Sequence, residues 1–289
     1  MQDNFLFQHY LVIFVDQLGQ RENLRKITGL PTNETEKQQF IEITKKSIGR
    51  IIHIRDAFKN YFEADDSYMP NLTLVRPELR DAFLASQKMP ALNFYGISDA
   101  MVIAVPLMSD DENCAAVNGI CHAFVATCGI GLLSLSVRVP MRAGLDVGVA
   151  TQIDGKEIYG PALERAYYLE SNSAEYPRFL VGKELINYLM WVENQECNTP
   201  IGEVAKETSK YCRGMIIQDT DGKYMLDFLG EKFRNATENT IEPNLVASAF
   251  DFVIEQYNKY LKDENDKLSA RYYRLLRYFQ SRKSIWGIN

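Results

Sequence analysis

The sequence predicts an α/β fold of the α+β kind, a mixed sheet flanked by helices and followed by a C-terminal helical extension. Three observations predict it. Short β-branched runs such as Tyr10–Val15 and Met101–Ala104 alternate with longer stretches of helical period. No G-x-G-x-x-G follows a strand and no G-x-x-x-x-G-K-[ST] loop occurs, so neither a glycine-rich dinucleotide unit nor a P-loop is encoded. Beyond Gly230 the strand signals stop and two helical patterns follow.

His9–Val15 reads as the first strand, with Gly19 just past it. Glu34–Phe62 carries apolar residues at Phe40, Ile43, Ile51, Ile54, Phe58, Tyr61 and Phe62, a helical rhythm with polar residues between. Residues 63–90 hold three prolines and no clean period, which predicts loops with a short helix near Pro77–Ser86. Leu92–Leu107 predicts two strands around the turn Ser98-Asp99.

Asp110–Leu133 is expected to be helical, capped by Ser109 or Asp110. Arg138–Thr151 reads as a strand whose Gly144 and Gly148 admit a close neighbour. Asp154-Gly155 marks a turn, and Pro161–Ser173 a helix with proline in its first turn. Pro177–Val181 predicts a strand and Lys183–Val192 a helix. Met215–Ile217 and Tyr224–Leu229, joined across Asp219-Thr-Asp221-Gly222, read as a hairpin. Pro243–Leu261 and Leu268–Phe279 are the two C-terminal helices, so the chain divides into a domain over 1–230 and an extension over 231–289.

The 289 residues are 46% hydrophobic and 24% charged, the composition of a globular protein. A net charge of −6 argues against broad nucleic-acid binding, while leaving room for a local basic pocket. Cys114, Cys121, Cys128, Cys197 and Cys212 include no C-x-x-C pair, which predicts free thiols in a reducing compartment. Cys114, Cys121 and Cys128 recur every seven residues, as buried small hydrophobes on one helix face do. Asn113–Val137 is uncharged but interrupted by polar residues and glycines, so a buried helix followed by a strand is expected rather than a membrane span. The Gln2-Asp3-Asn4 start lacks a basic leader region, and the chain is expected to be soluble and cytoplasmic.

Two acids carry the chemical signal. Asp16 ends the run Tyr10-Leu-Val-Ile-Phe-Val-Asp16, and Asp99 sits in the turn between two apolar strands. An unpaired carboxylate in such a setting costs roughly several kcal/mol. Two carboxylates at one sheet edge can instead hold Mg²⁺ or Mn²⁺, which take oxygen ligands and bridge phosphates. His9, His53 and His122 are too scattered for a zinc site or a general base.

Four segments in order resemble the class III nucleotidyl cyclase catalytic domain: Phe14-Val-Asp16-Gln-Leu-Gly19, Gly96-Ile-Ser-Asp99-Ala, Arg142-Ala-Gly144-Leu-Asp-Val-Gly148, and Ile158-Tyr-Gly160-Pro-Ala-Leu-Glu-Arg-Ala166-Tyr-Tyr-Leu169-Glu170. That family's patterns are F-x-D-[IV]-x-G, then G-D-A, then R-x-G-[IL]-x-x-G and y-G-x-x-V-N-x-A-x-R-L-E, and the likeness covers roughly residues 8–230. The resemblance implies a ferredoxin-type sheet and two Mg²⁺ or Mn²⁺ ions per site. Asp16 and Asp99 would be their ligands, with the carbonyl of Gln17 as a further one. It also implies phosphate contacts from the turn Leu18, Gly19 and Gln20. One ion would assist attack of the ribose 3′-oxygen on the α-phosphate, and the other would stabilise the triphosphate and departing pyrophosphate.

Three departures bear on function. The family's Asn-x-x-x-Arg pair falls on Glu164 and Tyr168, so the transition-state arginine is missing from its position. Arg165 is the substitute we assign, although it points about 100° away on a straight helix; Arg142 and Arg21 are further candidates. Purine cyclases carry Lys or Glu four residues before the second aspartate, where this chain has Tyr95; the second base-reading position holds Glu157. An uncharged ring there favours a smaller base. Asp16 and Asp99 are also far apart, with the 34–62 helix and a loop between them.

With the Gly160–Glu170 segment and Ala174-Glu-Tyr-Pro-Arg178, this start most resembles the Pycsar-type pyrimidine cyclases of bacterial antiphage defence. That implies synthesis of cyclic CMP or cyclic UMP from CTP or UTP for a separate effector. It also implies a homodimer whose Asp16 and Asp99 face the partner chain's Tyr95 and Glu157. Two alternatives stand beside it: a purine nucleotide cyclase, and a silent cyclase-like module that binds nucleotide and signals through its dimer state. The apolar stripes of the last two helices need burial, against a second chain or their own domain.

Overall fold

β1 (Phe7–Gln17) is the strand around which the sheet is built, because both of its faces are apolar. Leu11, Ile13 and Val15 enter the larger core, while Tyr10, Val12 and Phe14 enter a smaller core on the other face. That is the period-two alternation of a pleated strand buried on both sides. The computed structural model describes residues 6–19, 29–63, 75–85, 91–97, 100–107, 117–196, 199–237 and 241–288.

After β1 come α1 (Glu34–Glu63), a 3₁₀ turn at Pro77–Leu79, α2 (Arg80–Ala85), β2 (Asn93–Ile97) and β3 (Ala100–Pro106). Next are α3 (Asn118–Ser136), β4 (Met141–Ile153), β5 (Glu157–Tyr159), α4 (Pro161–Tyr168) with a π-helical turn Leu169–Ser173, and β6 (Phe179–Val181). α5 (Lys183–Glu193), α6 (Pro200–Gly214), β7 (Ile216–Gln218), β8 (Tyr224–Leu226), α7 (Glu231–Ala236), α8 (Pro243–Lys262) and α9 (Asp266–Trp286) complete the chain.

The sheet order is β2-β3-β1-β4-β6-β8-β7, with β5 paired to β4. β2, β3, β1 and β4 run antiparallel to their neighbours, and helices connect β1 to β2 and β3 to β4. This is the ferredoxin-type β-α-β-β-α-β order. The parallel β4–β6 pair makes the sheet mixed. The fold is therefore the α+β one that the element pattern predicts.

α1 and α3 lie together, and α4 packs on β1 and β4. α3 is apolar on all sides, with Ile120, Phe124, Ile130 and Leu132 fully buried, as a helix at the centre of a core should be. It is the one helix among the described residues long and apolar enough to cross a membrane, and most of it is buried inside the fold. Small residues let its neighbours approach: a Cβ on Gly131 would lie 2.1 Å from the Phe179 ring.

α8 and α9 fold back on this core, with α8 against α3 and α9 against α8. Their stripes (Val246, Ala249, Phe252, Val253; Tyr272, Leu275, Leu276, Phe279) belong to the same cluster as the sheet. Polar ties reinforce the docking: Asp227 accepts from the Tyr278 hydroxyl at 2.7 Å and from Arg282 Nη2 at 2.9 Å. Trp286 Nε1 donates to the Leu229 carbonyl.

The described elements correct the sequence reading in three places. α3 begins at Asn118 rather than near Asp110, with Val117 making no side-chain cap; Ser109 and Asp110 themselves lie outside the described residues. The predicted helix Pro161–Ser173 turns π-helical after Tyr168. α6 was not anticipated at all, although Thr199 caps it through Gly202 N–H and proline opens it.

Candidate functional site

Asp16 is the penultimate residue of β1, where the strand reaches the sheet edge. Strand register makes it the direct partner of Ala100 at the start of β3 and of Arg142 near the start of β4. Three of the four motifs thus meet at one edge. Asp99 lies outside the described residues; Ala100, which follows it in sequence, opens β3.

Arg142 Nη2 donates to Asp16 Oδ2 at 3.3 Å, its Nε stands 2.5 Å from Glu170 Oε1, and its Nη1 donates to the Ala174 carbonyl at 3.3 Å. Glu170 is in the π-helical turn and is 2% exposed. Burial pushes its carboxyl up to about 7; Arg142 opposes that shift and the neighbouring Asp16 charge adds to it. Two carboxyl groups and one guanidinium therefore share the pocket, and Asp16 is its more exposed acid.

Gly144 brings this pocket together. A Cβ there would lie 2.2 Å from the Ala166 carbonyl oxygen, 2.6 Å from Leu169 Cβ and 2.8 Å from Glu170 N. Only a residue without a side chain lets α4 and its π-helical turn lie this close to β4, which sets Glu170 beside Arg142.

Arg165 is placed elsewhere. Its Nε donates to Asp146 Oδ2 at 3.0 Å and its Nη2 to the Val147 carbonyl at 2.6 Å, in space that Gly148 leaves open. Asp146 is buried and also accepts from Val147 N–H and Leu185 N–H, tying β4 to the first turn of α5. Burial raises its carboxyl, and the two backbone N–H groups and Arg165 oppose that. The guanidinium at Asp16 belongs to Arg142, and Arg165 serves this ion pair. Glu164 and Tyr168, at the positions of the family's asparagine and arginine, are both exposed on α4.

The turn Leu18–Gln20, expected to meet phosphates, is only partly described. Leu18 N–H donates to the Pro140 carbonyl at 2.9 Å, so it is engaged within the fold rather than presented outward. Gly19 takes φ +87°, a left-handed turn that suits glycine, and Gln20 lies outside the described residues. Gln17 is buried on the face opposite Asp16, and among the described residues neither polar atom of its carboxamide has a hydrogen-bond partner.

Tyr95 lies on β2, 8% exposed, within the smaller core that also holds Tyr10, Phe14 and Ile158. Its hydroxyl accepts from Gln152 Nε2 at 2.9 Å, and burial raises its pKa. Gln152 pairs with Ile158, the residue after Glu157, so Tyr95 and the exposed Glu157 approach the same β4–β5 hairpin of one chain. Neither is brought to Asp16 of its own chain by a described contact.

Among the described residues no three His, Cys, Asp or Glu side chains stand close enough to cage a metal alone. Asp16 nevertheless offers a hard oxygen donor at a sheet edge, and its donor type fits Mg²⁺ or Mn²⁺. The sequence reading gave no role to Glu170, although it closes the fourth motif. An acid five residues beyond Arg165, at the end of an amphipathic helix, was the available signal. Of the three cysteines expected to be buried, Cys128 is buried and Cys121 is half-buried beside Cys212, while Cys114 lies outside the described residues.

No protein-family model matches the chain, and no curated protein matches its sequence. Among solved structures, the crystal structure of the adenylyl cyclase CyaB from P. aeruginosa is similar to it. The likeness covers 65% of this chain and 84% of that one, at 16% identity and a TM-score of 0.37.

Proposed function

We propose that this protein is a nucleotidyl cyclase that forms a 3′,5′-cyclic nucleotide and pyrophosphate from a nucleoside triphosphate. The observation that carries the reading is the register Ala100–Asp16–Arg142, which gathers three cyclase-like motifs at the edge of a ferredoxin-type sheet. In the reaction the ribose 3′-oxygen attacks the α-phosphorus, the bond to pyrophosphate breaks, and the 3′-hydroxyl proton is released. Two Mg²⁺ or Mn²⁺ ions, held by Asp16, Asp99 and the Gln17 carbonyl, would supply Lewis-acid stabilisation of the phosphates. Arg142 adds a fixed positive charge at the same edge.

The finer reading is a pyrimidine cyclase using CTP or UTP, working as a cytoplasmic homodimer whose product signals to a separate effector in antiphage defence. Its support is the uncharged Tyr95 where purine cyclases carry Lys or Glu, with Glu157 as the second base contact. Purified protein incubated with each of the four NTPs and Mn²⁺, with products identified by mass spectrometry, tests both levels. A cyclic pyrimidine monophosphate supports the full reading. A cyclic purine product rejects the base assignment alone, and no cyclic product from any NTP rejects the cyclase.

One observation favours a second reading, a nucleotide-binding module without turnover: exposed Tyr168 stands where the family has its arginine, and Arg165 is tied to Asp146. Binding of an NTP with no product in the same assay would select it.

A further inference from the structure

Arg142 stands at the centre of the pocket rather than at its rim. Its guanidinium reaches Asp16 on β1, Glu170 in the π-helical turn and the Ala174 carbonyl, using all three of its nitrogens. The contacts differ in distance and in exposure. The one to Glu170 is the closer, at 2.5 Å against 3.3 Å for Asp16, and Glu170 is nearly sealed from water while Asp16 is partly open. Backbone register holds the Asp16 and Arg142 Cα atoms opposite each other whatever the side chains do.

A divalent cation seated on Asp16 would stand within a few ångströms of this guanidinium, and like charges at such range repel strongly in a half-buried site. We propose that Arg142 competes with a divalent cation for Asp16, and that Glu170 sets the strength of this competition by drawing the guanidinium away. The inference rests on Asp16 being a cation ligand, the reading given above, and adds two residues that regulate the affinity of that site. Glu170 is here a positioning residue acting through Arg142. The arrangement makes the site hold its cation weakly until a triphosphate arrives, because the phosphates give Arg142 another anion to pair with.

The test is Mn²⁺ binding by the full-length chain without nucleotide, followed by electron paramagnetic resonance of the free ion. Wild type, Asp16→Asn, Arg142→Met, Glu170→Gln and the Arg142→Met/Glu170→Gln double variant are compared, each checked for folding by circular dichroism. Arg142→Met should bind at least tenfold more tightly than wild type. Glu170→Gln should bind several-fold more weakly, since it returns the guanidinium to Asp16. In the Arg142→Met background the Glu170→Gln effect should vanish, the non-additivity expected of a residue that works through another.

If Asp16→Asn binds Mn²⁺ as wild type does, Asp16 is not a cation ligand and the underlying reading fails. If Asp16→Asn loses binding but Arg142→Met does not tighten it, or Glu170→Gln keeps its full effect without Arg142, the competition fails alone. Should Arg142→Met not fold, Glu170→Gln decides: binding equal to or tighter than wild type overturns the inference.

Discussion

Asp16 on β1 and Arg142 on β4 are direct cross-strand partners, and their side chains meet at 3.3 Å. Paired residues of an antiparallel ladder share one face, so the carboxylate and guanidinium are neighbours by construction. Under the cyclase reading, Asp16→Asn keeps the shape but removes the charge that a metal-bound triphosphate needs. Turnover should fall at least a thousandfold, about 4 kcal/mol of transition-state stabilisation, with the far-ultraviolet spectrum unchanged. Asp99→Asn should do the same. Retention of a tenth of wild-type activity by either variant would remove that residue from the site.

Gly144→Ala should destabilise the protein by about 3 kcal/mol, because the new methyl meets backbone of α4 and its π-helical turn rather than a flexible side-chain tip. Urea unfolding measures this directly. A loss under about 0.5 kcal/mol would mean that α4 shifts freely, and the tight packing beside Glu170 would be misjudged.

Asp227→Asn leaves the docking of α9 without its charge. Arg282 and the Tyr278 hydroxyl both depend on that carboxylate. Charged hydrogen bonds of this kind are worth about 2–3 kcal/mol together in a partly buried setting. The variant should lose that much stability and show faster amide exchange over residues 266–286. Unchanged exchange there would show that the apolar stripe alone holds the helix.

Acid should weaken the clamp between β6 and the β7–β8 hairpin. Arg178, fully buried, donates to Asp221 Oδ1 at 3.0 Å and Oδ2 at 2.7 Å, and also binds Asp219. Burial alone would raise the Asp221 carboxyl, but hydrogen bonds from Arg178 and Lys223 outweigh it and hold the group well below the usual carboxylate range. A folded-state pKa below the unfolded one contributes stability at neutral pH that is lost as pH falls below about 4. The Tm difference between wild type and Asp221→Asn should therefore be largest at pH 6–8 and shrink on acidification. A difference independent of pH would exclude a charge effect.

The base-reading assignment is tested by kcat/KM for ATP, GTP, CTP and UTP in wild type, Tyr95→Phe and Glu157→Gln. Wild type should prefer a pyrimidine, and at least one variant should shift that preference about tenfold, the worth of one lost polar contact. Tyr95→Phe should also lower stability by about 1 kcal/mol, since Gln152 loses its partner. A stability loss with unchanged selectivity would leave Tyr95 as a core residue only.

Local pattern carried much of this fold. Alternation in Tyr10–Val15 located β1, and the rhythm of Phe40 to Phe62 located α1, because burial on a fixed period is a property of neighbouring residues. α6 escaped notice because its face is small: Gly202, Val204, Ser209 and Cys212 are its buried residues, and such short side chains leave little contrast with their polar neighbours. The start of α3 escaped because Val117 supplies no capping side chain.

By itself, then, the sequence determined most of the element order, the mixed α/β class and the two acids that interrupt apolar runs, since period, turn chemistry and a charge inside an apolar run are all local. Only the tertiary structure decided which guanidinium serves which carboxylate. Arg142 and Asp16 are 126 positions apart and meet through strand register, and Arg165 is turned to Asp146 by the room that Gly148 leaves. Glu170 gained its place the same way, through a helix lying against Gly144. Ion pairing between distant segments depends on how faces pack, and the linear spacing of charges does not contain that information.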